Sequence, residues 1–234
     1  MIEIISGSSY SELKKLITHL DTNSPFLDIN FFIALEKSKS IGDNTGWISF
    51  PIVAKNNNEI IGFMPIFLKE HSYGEYVFDH SWADAFQQHG LNYYPKMISA
   101  IPFTPVTGPR LLANDIEVKK AMIKALEKIL VEYKISSCHI LFPDKKDHEL
   151  FNKMGWLSRK GVQFKWHNNS YQTFDEFLQT LSHNKRKKIK QERKKIERNG
   201  ISIERKQGKY INSEDIDFFY ECYCETYRLH NSRP

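Results

Sequence analysis

Apolar residues at helical spacing alternate along the chain with apolar runs of strand character. Leu13, Leu16, Ile17 and Leu20 share one face of a helix over residues 9–20, and Ser9 with Glu12 gives it a capping-box start. Pro25 precedes a second apolar helix around 29–36, which the GDNTG stretch at 42–46 ends. Two β-rich runs, 47–55 and 60–69, flank Asn56, Asn57 and Asn58 and predict a hairpin. YGEYVF (73–78) reads as a strand leading into an aromatic, His/Asp-rich loop and a short helix. ISAIPFTPVTGPRLL (98–112) carries Pro102, Pro105 and Pro109, which suits an edge strand or a buried loop.

The clearest helix spans 115–133, with Asp115 at its start and Val118, Met122, Ala125, Ile129 and Leu130 on its apolar side. SSCHILF (136–142) is a buried-type strand, KKDHELFNKMGW (145–156) a short helix closed by Gly155, and GVQFKWHN (161–168) the last strand of this unit. After the NNSYQ linker, residues 173–200 give a helix, a break and a basic helix closed by Asn199 and Gly200. A strand, ISIERK, and a helix from Ser213 follow. The order is that of an α/β protein with a mixed sheet flanked by helices. It divides into a first domain, 1–169, and the start of a second, 170–234, opening with the basic helix 183–199 and expected to be incomplete.

Composition narrows the class. With 41% hydrophobic and 13% aromatic residues, the 234-residue chain has the make-up of a globular protein. No segment approaches the roughly 18 apolar residues a membrane span needs, and the N-terminus has no basic leader before an apolar run. Cys138, Cys222 and Cys224 form no CxxC pair, and an odd number argues against a disulfide framework, so a reducing cytoplasm fits best. The nine histidines show no ligand spacing, and no metal is expected. Residues 183–198 hold nine Lys/Arg and two Glu, while the other 24 basic and 26 acidic residues nearly balance, so the net charge of +5 is local to one helix.

The segments HSYGEYVFDHSWADAF, NYYPKMISAIPFTPVTGPRLL, HILFP, GVQFKWHN and LSHNKRKKIKQERKKI resemble, in order and spacing, a family of bacterial N-acyltransferases described as FemAB-like, after the peptidoglycan cross-bridge transferases. The resemblance runs over essentially the whole chain. It implies a tandem GNAT-like (acyl-CoA N-acyltransferase) fold, an acyl or aminoacyl donor and an amine acceptor. It also implies acetyl-CoA or another acyl-CoA as donor, with aminoacyl-tRNA as the alternative. One departure is visible: the phosphate-cradling Q/R-x-x-G-x-G/A pattern, whose backbone N–H groups bind the coenzyme pyrophosphate, is absent from these residues.

Acyl transfer to an amine needs a base, a donor for the carbonyl oxygen and a cation for a phosphate-bearing carrier. Asp79 and His80 are base candidates as a carboxylate–imidazole pair, with Trp82 and Asp84 beside them; the alternative is a turn cap and a hydrogen-bonded filler. Tyr93, Tyr94 and Lys96 could line a pocket, Tyr94 as a catalytic donor and Lys96 reading an anion, although buried tyrosines often only pack. Thr107, Gly108 and Arg110 offer close backbone approach and a guanidinium fork for an anion, or a salt bridge that holds the loop. Lys185 and Arg186, near the start of the basic helix, match the family's basic motif and are assigned to carrier phosphate, with a tRNA contact through this helix as the wider expectation. The competing function is a non-catalytic protein that binds RNA or an anionic membrane surface through the same helix.

Overall fold

The computed structural model describes residues 2–7, 9–14, 24–57 and 59–231. By internal contacts the chain divides into two compact units, Met1–Gly161 and Val162–Pro234.

In the first unit, β1 (Glu3–Ser6) is followed by α1 (Tyr10–Leu13), which has the expected capping box between Ser9 and Glu12. The rest of that predicted helix lies outside the described residues. Helix α2 (Ile29–Lys37) begins at Asp28, whose carboxylate accepts from Asn30 N. The two β-rich runs do not form one long hairpin. Each is split, into β2 (Trp47–Ser49) and β3 (Ile52–Asn56), and into β4 (Glu59–Met64) and β5 (Ile66–Lys69). Pro51 and Pro65 stand at the two breaks. A proline has no N–H to give a ladder, so it ends regular pairing there. β3 pairs with β4 in one sheet and β2 with β5 in another.

Two four-stranded sheets result. The first, β1-β3-β4-β7, is antiparallel and closes on the short β7 (Leu112–Ala113); the second, β2-β5-β6-β8, adds β6 (Lys96–Ser99) antiparallel to β5 and β8 (Cys138–Ile140) parallel to β6. Strand periodicity sorts the core. Val53, Phe63, Phe67 and Ile98 join Tyr10 and Phe32 of α1 and α2, while Ile52, Ala54, Met64, Ile66 and Met97 meet the other helices. Those are α4 (Ile116–Glu132), which supplies Val118, Met122, Leu126 and Ile129, and α5 (Lys145–Lys153), which supplies Leu150 and Phe151. α4 begins at the predicted Asp115 cap. Gly62 lets α4 settle on β4, because a Cβ there would lie 2.8 Å from Val118 Cγ1. This is the expected α/β arrangement of mixed strands flanked by helices.

YGEYVF is not a strand. Residues 70–79 form an irregular strap that leads into α3 (His80–Gln88). Its buried positions hold charge rather than apolar side chains, and Gly74 adopts φ +79° with a Cβ position 2.7 Å from the Phe103 ring, a site only glycine fills without strain. GVQFKWHN is also irregular, and so is ISIERK. Both are exposed, and among the described residues neither has a paired neighbour to make a strand of it.

The second unit consists, among its described residues, of α6 (Phe174–Gln179), α7 (His183–Arg198) and α8 (Ser213–Leu229), joined by irregular chain and a 3-10 turn, Gly208–Tyr210. α7 is the predicted basic helix. No helix among the described residues is long and apolar enough to cross a membrane.

Candidate functional site

The end of the second sheet carries a buried cluster of charge. Lys69, the last residue of β5, stands directly opposite Lys96, the first of β6, in the antiparallel ladder. Both share the sheet face of Phe67 and Ile98, and both are fully buried. Like charges opposed across a ladder repel, and burial adds the loss of hydration, so the arrangement needs compensation. The strap supplies it. Lys96 Nζ donates to Glu75 Oε2 at 2.8 Å, to Ser72 Oγ at 2.9 Å and, over a shorter contact, to Asp79 Oδ2. Lys69 Nζ donates to Tyr73 O at 3.3 Å, approaches His71 Nδ1 at 3.5 Å and sits 3.8 Å over the Trp47 ring.

From Asp79 the network runs outward. The Tyr93 hydroxyl donates to Asp79 Oδ2 at 2.6 Å and stands 3.2 Å from His139 Nε2, which also lies 3.1 Å from Ser137 Oγ. Since the phenol proton goes to the carboxylate, its oxygen is the acceptor for an Nε2–H of His139. His139 is half-buried, with its ring edge-to-face with Trp82 at 6.3 Å. A carboxylate, a phenol and an imidazole thus lead from the buried Lys96 toward the exposed Trp82 ring, over which Arg159 lies.

The environment moves the protonation equilibria apart. Burial alone would raise the Asp79 carboxyl, but the hydrogen bonds from Lys96 and Tyr93 outweigh it and hold the group at about 2. Burial raises Glu75 in spite of Lys96. Burial also lowers Lys69 to about 7, with repulsion from Lys96 adding to the effect and Glu75 opposing it. His139 is held at about 4 by burial and by Lys96, so its imidazole is neutral at pH 7. Tyr93 is pushed well up by burial and by the Asp79 charge, which keeps it a phenol.

The sequence candidates separate into three groups. Asp79, Tyr93 and Lys96 come together in the cluster, and Tyr94 joins it by a 2.8 Å bond between its hydroxyl and Ser72 Oγ. His80 does not pair with Asp79: it is exposed as the first residue of α3, with its ring tilted against Phe78 at 6.3 Å, while the Asp79 carboxylate is taken by Lys96 and Tyr93. Trp82 and Asp84 are exposed on α3, Trp82 beside His139.

The third group is structural. Arg110 is fully buried, and its guanidinium donates to the carbonyls of Leu141, Gly108, Pro109 and Val106, which leaves the fork no anion to read. It fastens the loop 106–110 to the β8 connection, with Asp147 accepting from Arg110 N and Leu111 N. Thr107 is exposed and Gly108 half-buried in that loop, where Gly108 bridges Pro143. Lys185 and Arg186 stand apart from these groups, in the first turn of α7, the former exposed and the latter half-buried.

Sequence reasoning missed Lys69, Ser72, Glu75 and His139. Lys69 and Glu75 had a signal, since each is a charge inside an otherwise apolar or aromatic run. His139, in SSCHILF, carried the same one.

Among the described residues no group of His, Cys, Asp and Glu is arranged to hold a metal ion. Among the described residues, six of the eight α-helices have a side chain bonded to their first free N–H groups, and α3 and α7 do not. The first turn of α7 has Lys185 and Arg186 and no acid, which suits a phosphate.

A family model described as FemAB-like, peptidoglycan biosynthesis/recognition, matches residues 2–234. No curated protein matches the chain. Among solved structures, it is similar to a ribosomal-protein-alanine N-acetyltransferase from Brucella melitensis biovar Abortus 2308, at 9% identity and a TM-score of 0.41, over 72% of this chain and 100% of that one. It is similar also to the aminoglycoside N-acetyltransferase AAC(6')-Iy in complex with CoA, at 12% identity and 0.42, over 71% and 95%. A third likeness is to the aminoglycoside acetyltransferase meta-AAC0020 from an uncultured soil metagenomic sample, in complex with sisomicin, at 14% identity and 0.39, over 72% and 97%.

Proposed function

Because this chain belongs to the FemAB-like family of peptidoglycan biosynthesis and recognition, we propose that it is an N-acyltransferase moving an acyl or aminoacyl group onto an amine, on a tandem GNAT-like scaffold. The observation that carries the site assignment is the hydrogen-bonded line Asp79–Tyr93–His139, which ends beside the exposed Trp82 ring.

In this reading His139 is the group that meets the acceptor amine. Its Nε2–H is spent on Tyr93, so Nδ1 carries the free lone pair and accepts from the amine N–H. As the nitrogen attacks the acyl carbon, its proton passes to Nδ1, and the imidazolium returns that proton to the departing carrier sulfur or ribose oxygen as the acyl C–S or C–O bond breaks. The imidazolium that forms is stabilised through Tyr93 by the ionised Asp79, which Lys96 holds in place. Tyr94, whose hydroxyl is bonded to Ser72 Oγ, is the candidate donor to the carbonyl oxygen. The replacement of His80 by His139 as the imidazole follows from burial and bonding.

The donor is acetyl-CoA, another acyl-CoA or aminoacyl-tRNA, and all three bring phosphates. α7 supports that contact. Viewed down its axis, Lys187, Lys188, Lys190, Lys194, Lys195 and Arg198 share about 160° of the circumference with no acid among them. Ile189 and Ile196 lie on the opposite side. Such a face suits a polyanion, while Lys185, Arg186 and Arg193 flank the isoleucine side.

The test is a thermal-shift titration with acetyl-CoA and with charged and uncharged tRNA at two salt concentrations. A ligand that binds only the folded state raises Tm by mass action. Stabilisation by acetyl-CoA or by charged tRNA is the expected result, and a salt-sensitive response to uncharged tRNA alone would favour a non-catalytic binding protein.

A further inference from the structure

The two facing lysines are not treated alike by the strap. Lys96 takes both carboxylates, Glu75 and Asp79, while Lys69, equally buried, has no carboxylate within ion-pair distance among the described residues. Its contacts are a carbonyl, an imidazole nitrogen and an indole face. On the acid side the second oxygen of each carboxylate, Glu75 Oε1 and Asp79 Oδ1, is buried without a hydrogen-bond partner. A buried ammonium without a counter-charge and buried carboxylate oxygens without donors are both costly, and here they occur in one cluster. The cations belong to two paired strands, the rigid part. The acids belong to an irregular strap that carries the exposed side chains of Tyr73, Tyr76 and Phe78.

Glu75 therefore has the form of an internal stand-in. It is tethered where it reaches one lysine, whereas an untethered carboxylate could bridge two. With Glu75 withdrawn, Lys69, Lys96 and Asp79 leave one positive charge, which suits a monoanion. We propose that Lys69 and Lys96 form a carboxylate-binding site, occupied by Glu75 while the strap is closed, that admits the carboxylate of a substrate or effector when Glu75 swings out. Asp79, fixed at the start of α3 and bonded to Tyr93, stays. The proposal does not depend on the acyl-transfer reading: a carboxylate can bind here whether or not the protein transfers acyl groups.

The test is a titration of the protein with acetate, and separately with N-acetylglycine as a peptide-terminus surrogate. It is followed through the Trp47 indole N–H in 1H–15N spectra assigned with Trp47→Phe, with chloride at matched ionic strength as blank. That N–H donates to Tyr73 O at 3.1 Å, so it reports on the strap. The expected result is a saturable shift with carboxylate and none with chloride. Glu75→Gln, which removes the competing charge, should lower Kd about tenfold, since a buried ion pair is costly to break. Lys69→Met should abolish saturation while leaving the cations of α7 in place.

Affinity should fall between pH 6.5 and 8.5. Of the groups around the site (Lys69, Glu70, His71, Tyr73, Glu75, Asp79, Tyr93, Tyr94, Lys96 and His139), Lys69 is the cation that loses its proton at about 7. Tighter binding by N-acetylglycine than by acetate would identify a peptide carboxylate as the ligand, and equal binding a carboxylate of any source. A Trp47 shift that is the same in chloride, or a Kd that Glu75→Gln does not lower, overturns the proposal even if Lys69→Met fails to fold.

Discussion

The Tyr93 hydroxyl gives its proton to Asp79 Oδ2 across 2.6 Å, in a site from which water is excluded. That bond joins the lysine-held carboxylate to the half-buried imidazole. Tyr93→Phe removes it with little change of shape and leaves His139 Nε2 without its phenol. It should cost about 1–3 kcal/mol of stability, the range for stranding buried polar groups. Denaturant titration checks this, and the Asp79 carboxyl, followed by NMR, should titrate above its present value of about 2.

Stability should fall on acidification in two steps. His139 is lowered to about 4 from an ordinary 6.5, so the unfolded chain takes up its proton first, and its contribution is lost as pH drops from 6.5 toward 4. Asp79 is lowered from 3.8 to about 2, so its contribution is present above 3.8 and is lost as pH falls to 2. At about 1.4 kcal/mol per unit this second step is worth about 2 kcal/mol. Glu75, raised by burial, works in the opposite sense as pH rises above its ordinary value. Urea melts at pH 7, 5 and 3 measure the sum, and His139→Gln should flatten the segment between 6.5 and 4.

Arg110→Lys should destabilise the protein by about 2–4 kcal/mol, because a single ammonium cannot serve four carbonyls arranged for a fork. Ligand affinities of the folded variant should be unchanged. Thermal melts and binding titrations on the same preparation separate the two effects.

How far these features were legible in the sequence depends on the range of the interaction that makes them. α4 was read from its own periodicity and the Asp115 cap, because a helix is closed by local hydrogen bonds. The split of the two β-rich runs was signalled by Pro51 and Pro65, but which sheet each piece joins is decided by pairing across the chain. Asp79 was picked out with His80, and Tyr93 and Lys96 with Tyr94, as chemical residue types close in sequence. Their union with Glu75 depends on the pairing of β5 with β6, and with His139 on the parallel pairing of β6 with β8, neither of which local sequence encodes. Arg110 misled for a related reason: next to Gly108 it looks like an anion fork, and only the fold surrounds it with carbonyls.

Replacing Lys187, Lys194 and Arg198 of α7 by Gln should weaken binding of a phosphate-bearing donor and make it less sensitive to salt, since each phosphate contact contributes about one unit to the slope of log K against log salt. Donor titrations at three salt concentrations measure the slope. The three side chains are exposed, so stability should change by less than about 0.5 kcal/mol each.

The most direct test of the account is single-turnover transfer of a labelled acyl group to an amine acceptor by the wild type, His139→Ala, Tyr93→Phe and His80→Ala, with folding checked by circular dichroism. The account predicts that His139→Ala loses about a hundredfold or more in rate, the scale of a positioned proton acceptor, with Tyr93→Phe intermediate and His80→Ala unchanged. Full turnover by folded His139→Ala, or loss in His80→Ala alone, would contradict it.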